Sequence, residues 1–130
     1  MTKEPKKVFI VDDDYFLLNM YSLKFKNNDM EVEVAGGSDE ALEKLEGGLK
    51  PDIILLDIIM PGTDGLTLLK EIRERKLAED SFVIMLTNQG LQEDMDKAKE
   101  LDVDGYIVKA TSIPSEVVEE VERIVSKNES

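Results

Sequence analysis

The 130-residue chain contains no histidine and no cysteine. Without histidine there is no imidazole base and no His-ligated zinc or haem. Without cysteine there is no disulfide, no thiolate nucleophile and no iron–sulfur cluster. Positive charge is scarce too: 16 basic against 29 acidic side chains leave a formal net charge of -13. A surface this acidic repels phosphate backbones, which argues against direct binding of nucleic acid or of an anionic membrane. Long apolar runs are missing as well. The longest, Phe82 to Leu86, is far too short to cross a bilayer. The charged Met1–Lys7 stretch is followed by only four apolar residues, too few for a signal-peptide core, and the chain reads as cytoplasmic. Any chemistry must run on carboxylates, hydroxyls, lysine and an oxygen-loving metal.

The chain does contain five short apolar runs separated by amphipathic stretches. The runs are Val8–Val11, Val32–Ala35, Ile53–Leu56, Phe82–Leu86 and Tyr106–Val108. Most lack alternation, as strands covered on both faces do. Only Met30-Glu31-Val32-Glu33-Val34 alternates, which predicts an edge strand. Between the runs the period turns helical. Ala41, Leu42 and Leu45 form one face, closed by Gly47 and Gly48. Leu66, Leu68, Leu69 and Ile72 form a second face, and Leu91, Met95 and Ala98 a thin third. Val117, Val118, Val121, Ile124 and Val125 give a core-facing stripe. Tyr15 to Phe25 is apolar on most sides, so the first helix is expected to be well covered. Ser38, Asp64 and Ser112 stand at expected helix N-caps. The polar residues 126–130 are expected to fray.

Five β-α repeats predict a doubly wound five-stranded parallel sheet with helices on both faces, an α/β domain covering residues 1–130. A closed eight-fold barrel needs roughly twice the length. Ligands of such open sheets bind at the carboxyl ends of the strands. There the sequence places Asp12, Asp13 and Asp14 after strand one, Asp57 after strand three, Thr87 at the end of strand four and Lys109 at the end of strand five. The first turn has no glycine-rich loop to cradle a phosphate, only three negative charges. Asp12, Asp13 and Asp57 are hard oxygen donors of the kind that hold Mg²⁺. Such a cation also allows clustered carboxylates to stay ionised together.

The set Asp12-Asp13, Asp57, Met60-Pro61-Gly62, Thr87 and Lys109 resembles the receiver domain of bacterial two-component response regulators, including the stand-alone chemotaxis type. The resemblance runs strand by strand over essentially the whole chain. It implies a flavodoxin-like (βα)5 fold with strand order 2-1-3-4-5. It implies that Asp57 accepts a phosphoryl group from a phosphohistidine on a partner sensor histidine kinase or phosphotransfer protein. Mg²⁺ is then held by Asp12, Asp13, Asp57 and the backbone carbonyl of Ile59, while Lys109 and the Thr87 hydroxyl contact phosphoryl oxygens. Tyr106 matches the aromatic that turns inward when Thr87 moves. The surface of helix four, strand five and helix five is implied as a face for a downstream protein or a phosphorylation-dependent homodimer. The domain would act as a switch that catalyses its own phosphorylation and slow autodephosphorylation, and not as a turnover enzyme. This chain shows no output domain.

Plainer roles compete for the same residues. Asp14 and Asp64 read as helix caps. Taken alone, Lys109 is a surface lysine, Thr87 a packed strand residue and Tyr106 a packed strand aromatic. Departures from the family pattern also matter. Receivers usually join the lysine to proline through a cis bond. Here the pair is Lys109-Ala110, and a cis bond before a residue other than proline costs roughly 2.5–4 kcal/mol, so a trans bond is expected. Asn88 stands where a smaller residue is usual, and Ile59 and Gln89 occupy positions that tune phosphoryl lifetime. Ile59 cannot hydrogen-bond an attacking water, hence the expected slow decay. Two alternatives come from other classes. One is a receiver cut from a longer transcription factor or hybrid kinase. The other is an enzyme of the haloacid-dehalogenase type, but those carry an Asp-x-Asp pattern on strand one, whereas here the best nucleophile follows strand three.

Overall fold

The computed structural model describes residues 6–88, 90–109 and 113–129, with Glu129 described by its backbone alone. Five strands and five helices alternate: β1 (Lys7–Val11), α1 (Tyr15–Asn27), β2 (Glu31–Ala35), α2 (Ser38–Glu46), β3 (Ile53–Leu56), α3 (Gly65–Glu74), β4 (Phe82–Thr87), α4 (Gln92–Glu100), β5 (Gly105–Val108) and α5 (Pro114–Glu129). The strands form one parallel sheet in the order β2-β1-β3-β4-β5. The alternating β2 segment therefore lies at an edge, as its pattern predicts.

The unbroken apolar runs are explained by two separate cores. Successive side chains of a strand point to opposite faces. Phe9, Val11, Ile54, Leu56, Val83 and Met85 face one layer, where Ala41 and Leu45 of α2, Leu68, Leu69 and Ile72 of α3, and Ala98 of α4 cover them. Val8, Ile10, Ile53, Leu55, Ile84 and Leu86 face the other, beneath Leu18, Tyr21 and Phe25 of α1 and Val117, Val118, Val121 and Val125 of α5. A central strand buried on both faces has no polar side to display.

Local chemistry sets several boundaries. Asp14 caps α1, its carboxylate accepting from the N–H groups of Phe16 and Leu17. Asp64 caps α3 by accepting from the Thr67 N–H at 2.8 Å. Helix α2 stops where Gly48 takes the left-handed conformation, φ 107°, which glycine enters without steric cost. Pro114 opens α5, where a missing N–H does no harm, and Glu116 reaches back to the Ile113 N–H at 3.0 Å.

Three expectations need correction. Ser38 is not an N-cap: Gly37 occupies that position, and Ser38 is the first helical residue. Helix α1 is not covered on most sides, because its main contacts are with β1, β2 and α5. Its buried stripe is Leu18, Tyr21 and Phe25, while Tyr15 and Phe16 are 69% and 74% exposed. Residues 126–129 continue α5, with the Asn128 amide donating to the Ile124 carbonyl one turn back at 2.8 Å. The thin stripe on α4 is thinner than drawn: Ala98 alone is buried, and Leu91 precedes the helix and is exposed. Ser112 lies outside the described residues. Among the described residues, no helix is long and apolar enough to cross a membrane.

Candidate functional site

The carboxyl edge of the sheet brings together groups far apart in sequence. β1 delivers Asp12 and β3 delivers Asp57, on neighbouring strands whose last pair is Val11 and Leu56. β5 delivers Lys109, 97 positions from Asp12. All three are buried, Asp12 to 2% and Asp57 to 5% exposure. The Lys109 ammonium makes a hydrogen-bonded ion pair with Asp12 Oδ2 and lies 3.4 Å from Asp57 Oδ2. Backbone donors complete the arrangement. Asp12 Oδ1 accepts from the Asp14 N–H at 3.0 Å, and Asp57 Oδ1 accepts from the Ile58 N–H at 2.8 Å.

The electrostatics follow from burial. Burial pushes the Asp57 carboxyl up from 3.8 to about 6; Lys109 opposes that rise and Asp12 adds to it. At Lys109, burial favours the neutral amine. The hydrogen bond to Asp12 and the fields of both carboxylates outweigh it, so the ammonium is held above its usual range. Two buried acids sharing one cation remain short of positive charge.

Asp13 is exposed at the rim, and one carboxylate oxygen from each of Asp12, Asp13 and Asp57 falls within a 4.8 Å set. That span fits a small divalent ion, whose opposite oxygen ligands stand about 4.2 Å apart at about 2.1 Å each. The donors are all hard oxygens and their charge exceeds that of Lys109, so the residues suit Mg²⁺ in both chemistry and size. The acids and the lysine line a cleft of about 310 Å³, together with Ile59 and Asn88. A larger groove of about 410 Å³ lies between α3 and α4. Its Lys70, Lys97 and Glu100 are solvated charges of both signs, so volume alone does not locate the chemistry.

The other expected residues are placed less directly. Thr87 is buried at the end of β4, and Asn88, not Thr87, lines the cleft. Ile59 is 59% exposed on the loop after β3. Tyr106 is half-buried against the core layer shared by α3 and α4. Burial raises its hydroxyl pKa, and Asp94 of α4 and then Asp57 add to the rise. Gln89 and the Lys109–Ala110 bond fall outside the described residues.

Two further residues shape the site without having been singled out. Gly65, the first residue of α3, donates its N–H to the Ile58 carbonyl at 2.7 Å. A Cβ there would overlap the Asp57 carbonyl oxygen and stand 2.8 Å from its carbon, so only glycine lets α3 approach the end of β3 this closely. Its sequence signal is a glycine directly after a cap residue, a poor choice for a helical turn on propensity alone. Tyr21 is buried on the α1 side. Burial raises its pKa; Lys109 opposes this, and Asp12 and Asp57 add to it, so its hydroxyl senses the same three charges. Nothing in its sequence surroundings marks it.

The doubly wound sheet thus gathers two buried acids, a rim acid and a lysine at one cleft on its carboxyl edge. The family model of the response regulator receiver domain matches residues 8–122, and the chain belongs to that family. It is 34% identical over 112 residues to the chemotaxis protein CheY of Halobacterium salinarum, covering 85% of this chain and 89% of that one. It is 35% identical over 122 residues to the transcriptional regulatory protein ResD of Bacillus subtilis, covering 93% of this chain and 48% of ResD. The chain thus spans about half the length of ResD, and likewise of PhoP from the same organism. A CheY-like receiver domain protein from Methanospirillum hungatei superposes with a TM-score of 0.85 at 26% identity, covering 96% of this chain and 97% of that one. Members of the receiver family receive a phosphoryl group on an aspartate in two-component signalling.

Proposed function

We propose that Asp57 is the phosphoryl acceptor. The observation that carries this is its burial at the end of β3 beside Asp12, with Lys109 close to both. A carboxylate oxygen of Asp57 attacks phosphorus, the phosphorus–nitrogen bond of a donor phosphohistidine breaks, and the electron pair returns to the imidazole. The donor histidine lies outside these 130 residues, which contain none. With a pKa of about 6, Asp57 is mostly ionised at neutral pH and so competent as a nucleophile. Mg²⁺, held by Asp12, Asp13, Asp57 and the Ile59 carbonyl, supplies neutralisation of the phosphoryl charge when bound. Lys109 is free to exchange its carboxylate partner for a phosphoryl oxygen, since both are anionic acceptors for the same ammonium.

The Thr87 hydroxyl donates to a second phosphoryl oxygen, and its movement makes room for Tyr106. Coupling of the new charge to that ring, and through it to α4, alters the surface formed by α4, β5 and α5. A downstream protein or a second copy of the chain reads that surface. A transcriptional role like that named for ResD would run through another segment or a partner, since a net charge of -13 does not suit DNA. The test is exposure to acetyl phosphate with and without Mg²⁺, beside an Asp57→Asn variant, read by intact mass. A Mg²⁺-dependent gain of one phosphoryl group in the parent alone is expected. No gain, or an equal gain in the variant, refutes the assignment.

A further inference from the structure

Serine at the start of a helix ordinarily bonds an N–H of its own first turn. Ser38 does not. The cap position belongs to Gly37, which makes no side-chain bond, and the first turn is closed by the Ala41 N–H on the Gly37 carbonyl at 3.1 Å. The Ser38 hydroxyl, on a residue only 5% exposed, instead donates to the Thr63 carbonyl at 2.7 Å, 25 residues along the chain.

Thr63 belongs to the loop that leaves Asp57. That loop is closed at its base by Gly65 N–H on the Ile58 carbonyl, and it enters α3 through the Asp64 cap. Between these ends it turns through Gly62, at φ 79°, and presents Ile59 to solvent. The Ser38 hydroxyl ties the far arm of this loop to α2, a different element of the fold. We infer that Ser38 is a positioning residue for the phosphoacceptor loop, holding it through Thr63 so that the Ile59 carbonyl stands ready beside Asp12, Asp13 and Asp57. This rests on the reading of that cluster as the metal site.

Without the tie, the Thr63 carbonyl loses its partner and the loop has to be ordered when the metal binds. Ordering at the moment of binding weakens affinity, while groups already in place do not. The penalty is that of one neutral hydrogen bond, so Ser38→Ala should weaken Mg²⁺ binding about three- to tenfold. The phosphorylation rate at saturating Mg²⁺ should stay within about twofold, because Asp57 and Lys109 are untouched. A bond serving stability alone would lower the melting temperature and leave metal affinity as it was.

The experiment uses the full chain as parent, Ser38→Ala, Ser38→Thr and Asp57→Asn. Calorimetric titration gives the Mg²⁺ affinity, and amide exchange over residues 58–65 is followed in metal-free protein. Expected are weaker Mg²⁺ binding and faster exchange of that loop in Ser38→Ala, with both restored in Ser38→Thr. Unchanged affinity, unchanged exchange, or a loss that Ser38→Thr does not recover overturns the inference. Should the parent bind Mg²⁺ no better than Asp57→Asn, the metal reading fails instead. Loop exchange in metal-free Ser38→Ala and Ser38→Thr then decides the positioning role alone.

Discussion

Replacing Asp57 by asparagine should make the metal-free protein more stable at neutral pH, although it abolishes the proposed function. The folded carboxyl titrates at about 6, against 3.8 for the ordinary group, so the folded state holds its proton more tightly than the unfolded chain. Stability therefore falls as pH rises from about 4 to about 6, and the penalty is constant above that range. A difference of about two units, at about 1.4 kcal/mol each, sets an upper value near 3 kcal/mol. Asparagine has nearly the same shape, keeps an oxygen for the Ile58 N–H and leaves Lys109 to Asp12. The expected gain at pH 8 is about 1–3 kcal/mol, or roughly 3–10 °C in melting temperature for a chain of this length. Circular dichroism melts in chelator, from pH 4.5 to 8, measure it. The gain should shrink toward zero at the acid end. Mg²⁺ should also narrow it at pH 8, because ligand binding stabilises the parent. A variant no more stable than the parent at pH 8, or a gain independent of pH, would refute the account of Asp57 as a strained buried charge.

Lys109→Met should leave two buried acids uncompensated and lower stability at pH 8 by about 3–5 kcal/mol in urea denaturation, with part of the loss recovered on adding Mg²⁺. Gly65→Ala drives a methyl group into the Asp57 carbonyl; a loss of about 3 kcal/mol and a slower reaction with acetyl phosphate are expected, and an unchanged melt would contradict the close approach described. Asp14→Ala removes the cap of α1 and should lower stability by about 1 kcal/mol, with the Mg²⁺ affinity within about twofold of the parent. A large loss of Mg²⁺ binding in that variant would make Asp14 a metal ligand after all.

Much of the site was legible because its residues stand at strand ends. Parallel topology sends every strand's carboxyl end to one edge, so Asp12, Asp57, Thr87 and Lys109 could be assembled from order alone. What escaped depended on neighbours distant in sequence. Ser38 carries the chemistry of a cap and serves a loop 25 residues away. Tyr15 and Phe16 look like core residues, but α1 has the sheet and α5 on one side only. Gly65 reads as a weak helix starter until the Asp57 carbonyl is seen against it.

By itself, the sequence determined the alternation of strands and helices, the doubly wound class and the donors available for chemistry. Apolar periodicity and side-chain type are local properties and survive in a linear reading. Only the tertiary structure decided that Asp12 and Asp57 share one ammonium, that burial holds Asp57 near pKa 6 against the pull of that ammonium, that Asn88 and not Thr87 lines the cleft, and that Ser38 works outside its own helix. Burial, field strength and hydrogen-bond partners depend on distance through space, and folding alone brings residues 97 positions apart into contact.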